Sequence, residues 1–310
     1  MIPVHRIRLP FHLELDHVNV FLVPDGAGWI LVDAGFGTDE CFAALEKGLE
    51  THGVAWREIQ TLLVTHCHPD HIGLASRILD KSGAQLLMHT AERDFLDFIS
   101  DIVDHPEILD GRMRSWGTPA EMVERISGTF RAVRQNFRHL KPDRLLQGGE
   151  TIGPLETIWT PGHAPGHLCL YMPRERVLVS GDHVLKKITP HVAWVEGRDV
   201  LGEYLDSLER IATYDVETIH PSHGDPFGDL RERTREIALH HAWRCNTIRQ
   251  AAQDGAQSPH DVVLRVWQDR LSPFQHRFAL FEVMAHVEYM RRRGSFEAPW
   301  ADASVPGRLP

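Results

Sequence analysis

Residues 64–73, VTHCHPDHIG, place three histidines and an aspartate within six positions directly behind the apolar run IQTLLV. Such a run of Val, Ile and Leu is the pattern of a buried strand, and imidazoles delivered at its end need partners for their nitrogens. In an extended segment alternate side chains point the same way, so His66 and His68 can face one ion. A chain that turns into a helix after Pro69 lets Asp70 and His71 reach a second position nearby. Imidazole and carboxylate suit zinc and comparable first-row ions, whereas calcium and magnesium favour oxygen-rich sites.

The chain holds 21 histidines, so a solvated histidine-rich turn is the competing reading. It is answered by whether the rest of the chain supplies further ligands. TPGHAPGH offers His163 and His167, VLVSGDH offers Asp182 and His183, and IHPSHGDP offers His220 and His223. Each follows an expected strand or lies in a Gly/Pro loop, where a rigid scaffold can present a side chain.

The segments between these motifs alternate strand and helix. NVFLV (19–23) and GWILVDAG (28–35) form a hairpin across PDGAG, and a helix follows from Thr38 as its cap. IQTLLVTH (59–66) is expected as a strand, 70–83 as a helix ended by Gly83, and AQLLMH (84–89) as a strand. From 91 to 142 the spacing becomes helical and is expected as an insertion. Strand patterns resume in ETIGPLETIWT, HLCLYMP, RVLVSGDH and VETIH, with a helix at VLGEYLDSLERIA. Beyond 229 the chain is helical, with Ser258 and Ser272 as caps ahead of Pro259 and Pro273, and its tail is expected to be irregular. Two strand-rich halves with helices imply an α/β protein with layered sheets. We expect a catalytic domain over 1–229 and a small helical domain over 230–310.

A formal charge of −10 gives no global basic footprint for nucleic acid. Cys41, Cys67, Cys169 and Cys245 stand apart and suggest neither a disulfide framework nor a thiolate zinc knuckle. The start has no continuous apolar core of a secretory signal, and no apolar stretch approaches membrane-spanning length, so a cytoplasmic protein without membrane contact is expected.

VDAG, THCHPDHIG, PGHAPGH, SGD and PSHG, in that order, resemble the metallo-β-lactamase superfamily over roughly residues 15–228. The resemblance implies a four-layer αβ/βα fold. It also implies that His66, His68 and His163 bind one divalent ion, that Asp70, His71 and His223 bind another, and that Asp182 bridges them. His163 is preferred to His167 because the family's ligand directly follows PG, and His223 within SHG is preferred to His220. His167, His183, His220 and Asp33 take supporting positions, and Cys67 packs. Zinc is the expected metal, with iron and manganese as alternatives.

Two ions about 3.5–4 Å apart share an acidified water, so the expected mechanism is attack of a metal-bridging hydroxide on an ester-like carbonyl. Asp70 or Asp182 would orient the water or relay its proton. Flavodiiron-type relatives carry a carboxylate where His68 stands, and the principal β-lactamase classes lack the aspartate that Asp182 supplies. The resemblance therefore favours the glyoxalase II-like and β-lactamase-like protein 2-like branches, and a small-molecule thioester, lactone or related ester as substrate. The insertion would cover the cleft, and Phe95, Phe98, Trp116, Phe130 and Phe137 could line an apolar pocket or attach the insertion to the core. The C-terminal region resembles a winged-helix-like domain. It raises the alternative of an RNA-cleaving protein contacting nucleic acid through Arg277 and Arg291 to Arg293; a non-catalytic metal-binding or regulatory protein is a third. His240 and His241 are assigned a structural role over lining the cleft.

Overall fold

A computed structural model describes residues 2–12, 15–134, 140–268, 270–298 and 300, with residues 100–104 and 129–134 described by their backbone alone. Phe137 and most of the tail lie outside these residues, and Phe130 is described only as part of a helix backbone.

Two sheets face each other. The first runs β1 (His5–Pro10), β2 (His17–Asp25), β3 (Gly28–Val32), β4 (Ile59–Leu63), β5 (Gln85–His89), β6 (Arg144–Leu146) in spatial order. Its first three strands are antiparallel, and β3 to β6 are parallel. The second sheet, in the order β11 (Thr218–Pro221), β10 (Val177–Gly181), β9 (Leu168–Met172), β8 (Leu155–Trp159), β7 (Thr151–Ile152), is antiparallel except for its β10/β11 pair.

The apolar faces explain the layering. Phe21, Ile30 and Leu63 from one sheet meet Leu155, Leu170 and Val179 from the other in a dry interior. The outer face of the first sheet, through Leu31 and Leu62, packs on α1 (Asp39–Thr51) and α3 (Ala75–Ser82). The outer face of the second, through Cys169, Tyr171 and Leu178, packs on α7 (Val200–Ile211) and the C-terminal helices α8 (Leu230–Gln253), α9 (Pro259–Trp267) and α10 (Pro273–Arg292). Helix, sheet, sheet, helix is the expected four-layer order.

The insertion is α4 (Thr90–Asp104), α5 (Pro106–Ser115) and α6 (Ala120–Arg134). Thr38, Ser258 and Ser272 each accept a backbone N–H from the first turn of their helices, as their sequence positions imply. Three expectations need correction. The strand expected to reach His66 ends at Leu63, so His66 and His68 sit in the loop beyond it. The helix expected over 70–83 is broken into α2 (Pro69–Ile72) and α3. The break falls where a Cβ on Gly73 would meet Gly37 N at 2.4 Å and Gly35 O at 3.0 Å, because the segment after β3 passes against it. The first strand, HRIRLP, belongs to the sheet although no strand was expected there; Ile7 and Leu9 point inward between outward Arg6 and Arg8.

Candidate metal centre

The ends of β3, β4, β10 and β11 lie along one edge of the two facing sheets, and the loops leaving them are stitched across the gap. Leu168 N–H donates to Thr65 O at 3.0 Å and Asn19 N–H to Ser222 O at 2.7 Å. The chain after β4 is held by Asp33, a non-glycine residue at φ 63°, a conformation that a short carboxylate side chain tolerates. Its buried carboxylate accepts from Thr65 N–H at 2.7 Å and from the Thr65 hydroxyl, and it touches His71 Nδ1 at 2.8 Å.

These loops bring the seven expected ligands into one cluster. His66 Nε2, His68 Nδ1 and His163 Nε2 lie 3.0–3.2 Å apart, close to the roughly 3.3 Å edge of a tetrahedron with 2.0–2.1 Å metal–nitrogen bonds. Beside them, His223 Nε2 is 3.2 Å from Asp70 Oδ2, and His71 Nε2 is 3.5 Å from that oxygen. Asp182 Oδ2 stands between the groups, 3.5 Å from His71 Nε2, 3.4 Å from His223 Nε2 and 3.7 Å from His163 Nε2. Among the described residues, these atoms form three overlapping groups able to hold a metal ion: His66/His68/His163, His66/His71/Asp182 and Asp70/His71/His223.

The outward nitrogens show which lone pairs are free to bind. His163 Nδ1 lies 2.7 Å from His191 O and His223 Nδ1 lies 2.8 Å from His17 O; a carbonyl only accepts, so both Nδ1 atoms carry the proton. His71 Nδ1–H donates to Asp33. His66 Nδ1 donates at 3.1 Å to the Thr65 hydroxyl, whose own proton goes to Asp33. Each Nε2 therefore faces inward, the orientation from which it can offer a lone pair to a metal that displaces any proton there. His71 Nε2 and Asp182 Oδ1 are buried without a hydrogen-bond partner among the described residues, an expensive state that a cation would relieve.

Electrostatics divides the cluster. Burial, reinforced by the imidazoles of His71, His68 and His163, pushes His66 well below its ordinary range, so it is neutral. Burial also lowers His163 against the upward pull of Asp182. On the other side burial would lower His223, but the Asp182 and Asp70 carboxylates outweigh it and raise it to about 10. Asp70, Asp182 and Asp33 likewise raise His71 well above its usual value against the burial cost. Burial disfavours ionised Asp182, yet His223 and His71 hold it well below the usual carboxylate range. The acidic half thus creates a field that calls for positive charge.

The remaining candidates lie around this cluster. His167 accepts from Asp182 N–H at 3.1 Å through Nε2 and shares a 2.8 Å hydrogen bond with Thr160 Oγ1 through Nδ1, so it sets the backbone that carries Asp182. His183 is fully buried against Tyr204, whose hydroxyl donates to His183 O at 2.7 Å. His220 packs edge-on to Phe21. Buried Cys67 packs behind the ligands, its Sγ directed at Glu92 O. His241 does not line the cleft and has Nδ1 3.1 Å from His286 Nε2, and His240 lies against Trp243.

Sequence reasoning overlooked Glu92. Its fully buried carboxylate accepts from Cys67 N–H at 2.7 Å and from Gly166 N–H at 2.6 Å, joining the loop of His66 and His68 to the loop of His163. A Glu in the first turn of a helix is too common to single out in a sequence.

Phe95 and Phe98 line a cavity above the cluster, whereas Trp116 is buried in the core against Trp194 and Phe281. Of the basic run, Arg291 and Arg292 pair with Glu288 and Arg293 with Asp199, while Arg277 lies in the cavity over the Phe281 ring. No helix among the described residues is long and apolar enough to cross a membrane.

The chain is similar over its length to a crystallised metallo-beta-lactamase family protein from Thermus thermophilus, with 30% identity, 94% of each chain covered and a TM-score of 0.80. It is 27% identical to the Probable metallo-hydrolase YqjP of Bacillus subtilis, over 76% of this chain and 79% of that protein. It is 28% identical to the Beta-lactamase-like protein 2 homolog of Caenorhabditis elegans, over 94% of this chain and 84% of that protein. With residues 13–223 matching the family's domain and the His/Asp cluster standing at the shared edge of its two sheets, the chain belongs to the metallo-beta-lactamase superfamily.

Proposed function

We propose that this protein is a binuclear metal-dependent hydrolase of a small thioester, lactone or related carboxylic ester, with zinc as its metal. The observation that carries the reading is the position of Asp182 Oδ2, within 3.4–3.7 Å of imidazole nitrogens from both groups. One ion would be held by His66, His68 and His163, the other by Asp70, His71 and His223, with Asp182 reaching both. Such ions supply an acidified water and a positive field on a carbonyl oxygen.

The chain's own part is to orient and to move protons. Asp70 and Asp182 are the carboxylates that face this space and can orient the attacking water and take its proton. Water adds its hydroxyl to the acyl carbon, the acyl–oxygen or acyl–sulfur bond breaks, and the proton passes to the departing alcohol or thiol. No serine or cysteine nucleophile is called for: the four thiols are buried, and burial pushes Cys41 and Cys169 up to about 12. Four free, buried cysteines fit a reducing compartment such as the cytoplasm. Residues 1–229 are assigned the chemistry and 230–310 a helical portion.

The test is metal analysis joined to a substrate panel of thioesters, lactones, aryl esters and phosphodiesters. We expect two ions per chain, one lost in Asp70→Ala, and turnover confined to the carboxylic esters. Full turnover by metal-free protein would sink the mechanism, and preferred cleavage of RNA would replace the substrate class.

A further inference from the structure

The ligand cluster is the floor of a cavity of about 700 Å³, within the range of sites that enclose a drug-sized molecule. His68, Asp70, His163, Asp182 and His223 all line it. Its walls come from three separated parts of the chain. The insertion gives Phe98 and Ile99, the 185–195 segment gives Ile188 and Trp194, and the C-terminal helix α10 gives Phe274 and Phe278. The charges in these walls are engaged. Arg112, buried, pairs with Glu196 at 2.7 Å, and Arg198 is held by Glu203 at 2.5 Å. Ile188 remains 44% exposed, so apolar surface stays in water until something covers it.

We propose that this cavity is an acyl-binding site, selecting substrates whose acyl part is a long aliphatic chain, and that α10 is one of its specificity-determining walls. The inference rests on the ester-hydrolase reading for the chemistry at its floor. A carbonyl placed on the His/Asp cluster leaves the rest of the acyl group surrounded mainly by aromatic and aliphatic side chains, with the paired Arg112, Glu196, Arg198 and Glu203 and the ring-stacked Arg277 among the charged exceptions. A polar carrier thiol or alcohol gains little from such walls and belongs toward the mouth. Apolar burial contributes per unit area removed from water, so each methylene that enters should strengthen binding about three- to fourfold until the cavity is filled.

The experiment uses the full chain in metal-loaded and metal-free forms. Calorimetry measures binding of butyric, octanoic and dodecanoic acids, and kinetics follow a series of N-acetylcysteamine thioesters from acetyl to dodecanoyl. We expect binding and kcat/KM to climb with chain length, with the gain carried mainly by KM. Phe278→Ser should flatten the climb. Ala193→Trp, which fills the cavity from its lining, should cut dodecanoyl kcat/KM at least tenfold relative to acetyl; circular dichroism and melting temperature monitor the fold of both variants. Should Phe278→Ser fail to fold, Ala193→Trp and the unmodified chain still decide. Hydrolysis with a flat chain-length series and no fatty-acid binding would overturn the acyl site and leave the ester-hydrolase reading standing. Length-dependent acid binding without hydrolysis of any thioester, lactone or aryl ester would support the cavity and overturn that reading instead.

Discussion

Gly166 N–H donates to the buried carboxylate of Glu92 at 2.6 Å, and through its other oxygen the same carboxylate holds Cys67 N–H at 2.7 Å. Two loops that carry three of the proposed ligands, His66, His68 and His163, are therefore set by one side chain that touches none of them. Burial raises the Glu92 carboxyl against the stabilising pull of these two N–H groups. Glu92→Gln keeps the volume but turns one acceptor into a donor facing an N–H. We expect metal affinity to fall about 10–100-fold and stability by about 1–3 kcal/mol. Competition against a chromophoric chelator and thermal unfolding measure the two; a variant that holds metal and melts as before would remove Glu92 from the assembly of the site.

The contrast between Glu92 and the ligands shows where sequence pattern is informative. His66, His68, Asp70 and His71 occupy one short motif behind an apolar run, and His163, Asp182 and His223 each follow a strand or a Gly/Pro loop, so local signals locate them. Their convergence is supplied by long-range sheet packing, which the family resemblance anticipated and periodicity alone does not encode. The helix break at Gly73 depends on contact with the segment at Gly35 and Gly37, invisible to any local window. In α10, Phe274 and Phe278 face the cavity while Leu280, Val283 and Val287 enter the core. A helix buried on several sides loses the one-sided apolar stripe that would have announced its place in the cleft.

Asp33 gives a second test, because its carboxylate fixes the tautomer of His71 from behind at 2.8 Å. Asp33→Asn retains a residue type that tolerates the left-handed backbone at φ 63°, but it removes the charge that makes His71 a stronger base. We expect the ion proposed at Asp70, His71 and His223 to bind about 10–100-fold more weakly, with the one proposed at His66, His68 and His163 less affected. Metal titration followed by elemental analysis after dialysis resolves the two; equal weakening of both ions would contradict this assignment.

Gly162 tests the loop that presents His163. Its φ is 131°, and a Cβ there would stand 2.3 Å from Tyr204 Cβ. Tyr204 cannot yield easily, being fully buried with its hydroxyl bonded to His183 O. Gly162→Ala should cost about 1–3 kcal/mol of stability through overpacking and backbone strain and shift His163, lowering metal affinity in parallel. Denaturant unfolding with and without chelator separates the effects. A fully stable, fully metallated variant would show that Tyr204 can move.

The pair His241 and His286, outside the His/Asp cluster, sets a pH dependence of stability. His286 Nδ1–H donates to Glu282 O at 2.7 Å, so its Nε2 accepts from His241 Nδ1–H at 3.1 Å. Both rings are neutral in this arrangement. Burial, with His286, His240, Arg244 and His191 nearby, lowers His241 to about 2; burial, with Arg244 and His240 nearby, lowers His286 to about 3. In the unfolded chain both return to the ordinary value of 6.5. The unfolded state then binds protons that the folded state refuses, so this stability is fully present above pH 6.5 and is lost as pH falls toward 3. His183 and His191, each lowered to about 3 by burial, act in the same direction. Replacing both members of the pair, His241→Phe with His286→Leu, should flatten the loss of stability between about pH 6 and 4.5 by up to roughly 1.4 kcal/mol per pH unit for each histidine removed. Guanidinium unfolding at several pH values measures this slope; a slope identical to that of the unmodified chain would mean that the two imidazoles accept protons without unfolding the helices that bury them.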